Sequence, residues 1–223
     1  MIKMEWKKND RIQVKIEDMG DTGEGIGKTD GFTWFVKDAV IGDEVEAKVM
    51  KTKKSYGYAR LEKIINASPN RVTPPCPVAR QCGGCQLQAM DYEEQLKYKE
   101  RKIYNNIKRI GGFDEVPMLP VMGMEEPWRY RNKAQFPWGT DKDGKIITGF
   151  FAGRTHAIIE NEDCLLGIEE NREILKIIKN HLERYHIRPY DEASHSGLIR
   201  HTLIRKGFHT GELMVCQVIN GKS

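Results

Sequence analysis

Five cysteines hold the most reactive chemistry of this chain, and three of them crowd one stretch, Cys76-Pro-Val-Ala-Arg-Gln-Cys82-Gly-Gly-Cys85. Glycine and proline around them let the backbone curl so that several thiolates face one centre. A fourth, Cys164, lies far along the chain in Asn161-Glu162-Asp163-Cys164-Leu165-Leu166-Gly167. Three local thiolates and one remote one are a recurrent way of holding a cubane cluster. The spacing departs from that of bacterial ferredoxins and lacks the matched Cys-x-x-Cys hooks of a zinc ribbon. An iron–sulfur cluster therefore stands first and structural zinc second. Disulfides fit poorly, because a start without an apolar signal segment points to the reducing cytosol.

The remaining candidates are weaker. Cys216 sits in the apolar run Leu213-Met214-Val215-Cys216-Gln217-Val218 and is expected to be a buried strand residue rather than a catalytic thiol. His195 and His201 lack the paired helical spacing of metal ligands. Gly23-Glu24-Gly25-Ile26-Gly27 resembles a phosphate loop, but no helix follows, so these read as turn glycines. Nowhere does a nucleophile stand beside a base, nor do two carboxylates form a pair.

Cations interleaved with aromatics suggest a second chemistry. Lys51, Lys53, Lys54, Tyr56, Tyr58 and Arg60 combine charge for phosphates with flat rings for unstacked bases. Two further basic clusters follow: Arg129, Tyr130, Arg131 and Lys133, with Arg154 beyond, and then Arg200, His201, Arg205 and Lys206. Three such patches on strand-forming segments predict a long RNA path. The alternative for each is a solvated loop.

These residues need elements to hold them. Up to residue 66 the pattern is all-β: Ile12, Val14 and Ile16 alternate with polar residues, as do Val45, Ala47 and Val49. Frequent glycines between them fit a small OB-like Greek-key barrel. A proline-rich connector, Asn66 to Pro75, marks a boundary. Asp91 is the expected N-cap of a helix, Glu94 its capping-box partner, and Leu96, Ile103, Ile107 and Ile110 its apolar stripe to Gly111-Gly112. A hairpin of Lys133–Trp138 and Lys145–Phe151, a helix over Glu169–Tyr185 and a last hairpin of Leu198–Arg205 and Glu212–Ile219 complete the reading.

Bulk composition sets limits. In 223 residues, 39% are hydrophobic and 30% charged, which suits small domains with much solvated surface. Lys+Arg 36 against Asp+Glu 32 gives +4, so nucleic-acid binding must come from local clustering. No run is long enough to span a membrane. A cytoplasmic monomer without membrane contact is expected.

Taken together, Gly23 to Gly27 through Phe35-Val36, Ala39 to Val45 and Tyr58-Ala59 resemble a TRAM domain, an OB-like RNA-binding barrel. The cysteine loop with Gln86-Leu87-Gln88, the stretch Tyr130-Arg131-Asn132-Lys133, and Cys164 resemble the RNA (uracil-5-)-methyltransferases, in particular the branch acting on 23S ribosomal RNA. That resemblance implies a four-iron, four-sulfide (4Fe–4S) cluster on Cys76, Cys82, Cys85 and Cys164. It further implies RNA contacts by Lys51, Lys53, Lys54, Tyr56, Tyr58, Arg60, Arg129, Arg131 and Lys133. The family's Rossmann-like domain, with its S-adenosylmethionine loop, attacking cysteine and base, has no counterpart here. The expectation is thus an N-terminal half: a TRAM barrel over 1–66 and an α+β central iron–sulfur domain over 67–223, with the methyltransferase domain absent. Such a chain would bind RNA, without itself using S-adenosylmethionine. A stand-alone RNA-binding protein is the alternative.

Overall fold

The structure, a computed structural model, describes residues 6–221 and divides into two compact units. One runs to Pro75 and resumes over Cys85–Gly123; the other takes Cys76–Gly84 and everything from Met124. Expectations for residues 1–5 and 222–223, a start without a signal peptide and an uncapped end, lie outside the described residues.

In the first unit, β1 (Arg11–Met19), β2 (Gly25–Thr29), β3 (Phe32–Lys37), β4 (Glu44–Thr52) and β5 (Tyr56–Asn66) close a barrel in the order β1-β2-β3-β5-β4. All pairs are antiparallel except β3 with β5, where Phe35 lies opposite Tyr58. The alternation works as read: Ile12, Val14, Ile16, Val45, Ala47 and Val49 point inward around Trp34 and Val36. Trp34 is fully buried, and its indole fills the space a side chain at Gly57 would need. A Cβ there would come 2.2 Å from the ring.

Gly25 and Gly27 are not turn residues. Both lie in β2 facing the barrel interior, where a Cβ on Gly27 would approach the Lys15 carbonyl oxygen to 2.1 Å. Close backbone approach, rather than a turn, requires them. Only Gly23, with φ +85°, matches the turn reading.

The loop before β4 is pinned by a buried ion pair. Asp43 is wholly buried and accepts from the backbone N–H groups of Val40 and Ser68, at 2.7 and 2.9 Å. Arg71 donates to it through Nη2 at 2.6 Å and through Nε, and its Nη2 also donates to the Asp38 carbonyl. The charge is thereby hydrogen-bonded on both oxygens, the condition for burying it.

Helix α1 (Tyr92–Arg109) belongs to this unit. Asp91 caps it, accepting from the Glu94 N–H at 2.9 Å. The reciprocal half of the capping box does not form, because the Asp91 N–H already donates to the Asn70 carbonyl. Glu94 is instead buried against Arg101, 2.9 Å away, and Asn70. The expected isoleucine stripe is likewise corrected. Ile103, Ile107 and Ile110 are exposed, while the helix seats through Tyr98 beside Met19, Val40 and Met90. The Tyr98 hydroxyl donates to the Gly20 carbonyl at 2.8 Å.

The second unit is a five-stranded antiparallel sheet of order β10-β9-β6-β7-β8. Its strands are β6 (Lys133–Thr140), β7 (Ile146–Phe151), β8 (Ile158–Glu160), β9 (Ile199–Lys206) and β10 (Leu213–Ile219). Helix α2 (Glu170–Arg184) covers it through Leu175 and Leu182, which pack with Ile168, Phe136, Trp138, Ile199 and Ile204. The Trp138 indole donates to the Thr202 hydroxyl at 2.7 Å, and that hydroxyl donates to Gln217. Cys216 is exposed, contrary to expectation. An apolar run on both faces normally means a buried strand. Here it forms an edge strand whose residues are all exposed among the described residues. No described helix is long and apolar enough to cross a membrane.

Candidate functional site

The basic and aromatic residues near position 55 converge on the outer wall of the barrel. Alternation along β5 sends Ala59 and Leu61 inward and Tyr56, Tyr58 and Arg60 outward. Phe35, on the adjacent strand, points outward too. The three rings form one cluster: Phe35 to Tyr56, Phe35 to Tyr58 and Tyr56 to Tyr58 have centroids 5.6, 5.6 and 5.7 Å apart. All three are half-buried, leaving part of each ring at the surface. Phe35 was missed in the sequence because β3 and β5 pair in parallel across twenty-odd residues, a contact no local pattern signals.

Cations frame this platform. Lys51 pairs with Tyr58 across the β4–β5 ladder, following a bulge that turns Met50 and Lys51 both outward. Lys53 and Lys54 occupy the turn between the strands and are exposed. Arg60 lies opposite Lys48 on one side and Lys37 on the other. An aromatic face within a basic rim can stack bases and hold phosphates without reading sequence.

In the second unit Arg129, Arg131 and Lys133 separate into two roles. Arg129, at φ +55°, aims its guanidinium at the loop carrying Cys164. Nη1 donates to Asp163 at 2.7 Å and to the carbonyls of Cys164 and Gly167, and Nη2 donates to the second Asp163 oxygen. This hydrogen bond holds the Asp163 carboxyl below the usual range despite opposition from partial burial, and raises Arg129. Arg131, two residues before β6, and Lys133, its first residue, are exposed.

The cysteine loop enters the second unit over residues 76–84. Cys82 bridges to Ala152, and the Gly83 N–H donates to the Phe151 carbonyl at 2.9 Å. Cys76 is buried, and Cys82 and Cys164 are partly exposed. Burial pushes the Cys76 thiol up; a backbone hydrogen bond from Val78 opposes this, and the charges of Cys164, Cys82 and Asp163 add to the rise. The Cys76 thiol thus lies within electrostatic reach of these groups, and a cation beside it would oppose the rise. Their all-sulfur chemistry suits an iron–sulfur cluster or zinc. Among the described residues, however, no three His, Cys, Asp or Glu side chains close into a metal-holding group. Cys85 follows Cys82 by three residues, past the boundary into the first unit.

A family model for the TRAM domain matches residues 5–61, which contain the first four strands and half of the fifth. Curated relatives align along nearly the whole chain. An uncharacterized RNA methyltransferase of Halalkalibacterium halodurans is 45% identical over 96% of this chain and 47% of its own length. One of Clostridium tetani is 45% identical over 97% of this chain and 46% of its own. The chain thus spans about half the length of the curated relatives it matches. Among solved structures, Pyrococcus abyssi tRNA (uracil-54, C5)-methyltransferase in complex with S-adenosyl-L-homocysteine superposes with a TM-score of 0.68. That match has 27% identity and covers 95% of this chain and 46% of the other.

These matches correct the expected fold class. An N-terminal half with an absent Rossmann-like domain is not retained, because methyltransferase relatives align along 96% of the chain and a solved methyltransferase along 95%. What stands is a chain similar to RNA methyltransferases along almost all of its length, with a TRAM domain at the barrel that carries the aromatic platform.

Proposed function

We propose that this chain grips RNA for S-adenosylmethionine-dependent methylation of uridine at C5. The observation that carries the reading is the outward cluster of Phe35, Tyr56 and Tyr58 within the rim of Lys51, Lys53, Lys54 and Arg60. Single-stranded RNA suits this wall, since unstacked bases lie on rings while phosphates follow the cations. Arg131 and Lys133, on the second unit, offer phosphates two further exposed cations. 23S ribosomal RNA is the substrate class this reading favours, and transfer RNA, named for the archaeal enzyme, is the competitor. Cys76, Cys82, Cys85 and Cys164 are proposed to hold a 4Fe–4S cluster of structural purpose. The setting proposed is a monomer in the cytoplasm.

Titration of 23S and transfer RNA fragments at several salt concentrations tests the grip. Replacing Lys51, Lys53 and Lys54 by alanine is expected to weaken binding across sequences and to flatten the salt dependence by roughly 0.7 per lost phosphate contact on single strands. An unchanged slope returns these lysines to the solvated loop. Iron and sulfide analysis after anaerobic purification tests the cluster, and stoichiometric zinc without sulfide would sink it.

A further inference from the structure

The second unit holds a cavity of about 550 Å³, bounded by β6 to β9 and residues 189–193. That volume lies within the roughly 300–1,000 Å³ of small-ligand sites. Flat groups line it. The imidazole of His156 stacks on Phe151 with centroids 5.1 Å apart and planes 25° apart. The Arg200 guanidinium lies 4.4 Å from the centroid of the Tyr190 ring. Polar groups sit among these surfaces: the Glu192 carboxylate is 2.8 Å from His156 Nδ1. His201 contributes a buried Nδ1 with no hydrogen-bond partner among the described residues. Burial first, and Arg200 second, lower the His201 pKa against an opposing pull from Glu192, and the lowering favours the neutral ring.

We infer that this cavity takes a single nucleobase unstacked from bound RNA, with guanine preferred. The inference rests on the RNA-gripping reading above and adds a place where base identity is read. Rings and a guanidinium plane are the surfaces on which unstacked bases lie. Glu192 can only accept hydrogen bonds when ionised, and Arg200 can only donate. Guanine matches that pair: its N1–H and N2–H groups face an acceptor while O6 and N7 face a donor. A phosphate fits less well, because Asp141 and Asp191 join Glu192 in the lining and repel an anion.

The test compares two ten-nucleotide RNAs, all uridine and the same strand with one central guanosine, titrated against the chain by fluorescence anisotropy at one salt concentration. The guanosine strand is expected to bind about tenfold tighter, the scale of one stacked and hydrogen-bonded base. Tyr190→Ala and Glu192→Gln should each bring it down to the all-uridine affinity while leaving the all-uridine strand unchanged. Glu192 has a side chain more than half exposed, so its replacement tests the site without threatening the fold. Equal affinities in the unmodified chain, or a preference that survives both substitutions, would overturn the base site. Failure of both strands to bind would instead overturn the RNA reading beneath it.

Discussion

Single atoms decide the barrel interior and the thiol chemistry. Gly57→Ala places a methyl group where the Trp34 ring already lies, and the ring is packed on every side. The expected cost is about 2–3 kcal/mol, as for overpacked cores, read as a lower denaturant midpoint without a change of slope. The thiols should divide by exposure. Cys216 is open to solvent, whereas Cys76 is buried with its pKa raised, so less of it is thiolate at neutral pH. A thiol-reactive dye should label Cys216 in the fast phase, and Cys216→Ser should remove that phase with under about 0.5 kcal/mol change in stability. Persistence of the fast phase in that variant would mean another thiol is the accessible one.

At the scale of elements, two charged braces hold loops in place. Arg71→Ala strands the Asp43 carboxylate in a fully buried position and is expected to destabilise the chain by about 3–5 kcal/mol in equilibrium unfolding. Arg129 with Asp163 is worth less, about 1 kcal/mol, because water reaches both partners. Its pH dependence is distinctive. Asp163 is held below its usual value of 3.8 in the folded chain, so its stabilisation is present above that pH and disappears as the pH falls through the depressed folded value. Unfolding free energy measured from pH 7 down to pH 2.5 should lose that portion below about pH 4. Asp163→Asn should show less of this acid loss, and an identical profile would remove the brace from the account. How far the sequence discloses such elements depends on range. The alternation of Ile12, Val14 and Ile16 and the Asp91 cap are local, and both are legible. Phe35 beside Tyr58, Arg129 on the Cys164 loop and Arg71 on Asp43 join residues at least twenty positions apart, so no period or motif announces them. The isoleucines of α1 misled for the opposite reason: their spacing is helical, but spacing alone cannot say whether a neighbour covers the face.

Across the whole molecule, the aromatic wall of the barrel and the cavity of the sheet ask different things of RNA. In the two proposals above, the wall takes a charged strand of any sequence, and the cavity one base. Substitutions at the two places should therefore separate in one experiment. Tyr56→Ala with Tyr58→Ala should weaken every strand by a similar factor, roughly tenfold or more if two bases lose their stacking partners. Binding that falls only for particular sequences in that double variant would mean the wall reads bases after all.

The path of the backbone between the two units carries a consequence for synthesis. Residues 76–84 leave the first unit, join the second, and are followed by a return to the first until Gly123. Their partners at Phe151 and Ala152 are made much later. Cys82 leaves the ribosome some eighty residues ahead of Cys164, which at about 5–20 residues per second is a wait of roughly 4–16 s. Until Phe151 and Ala152 emerge, the barrel has every strand it needs, while the early thiols have no sheet to dock against. The nascent chain thus passes through a stage with a finished barrel and undocked cysteines, and it is then that oxidants or stray metal ions reach them most easily.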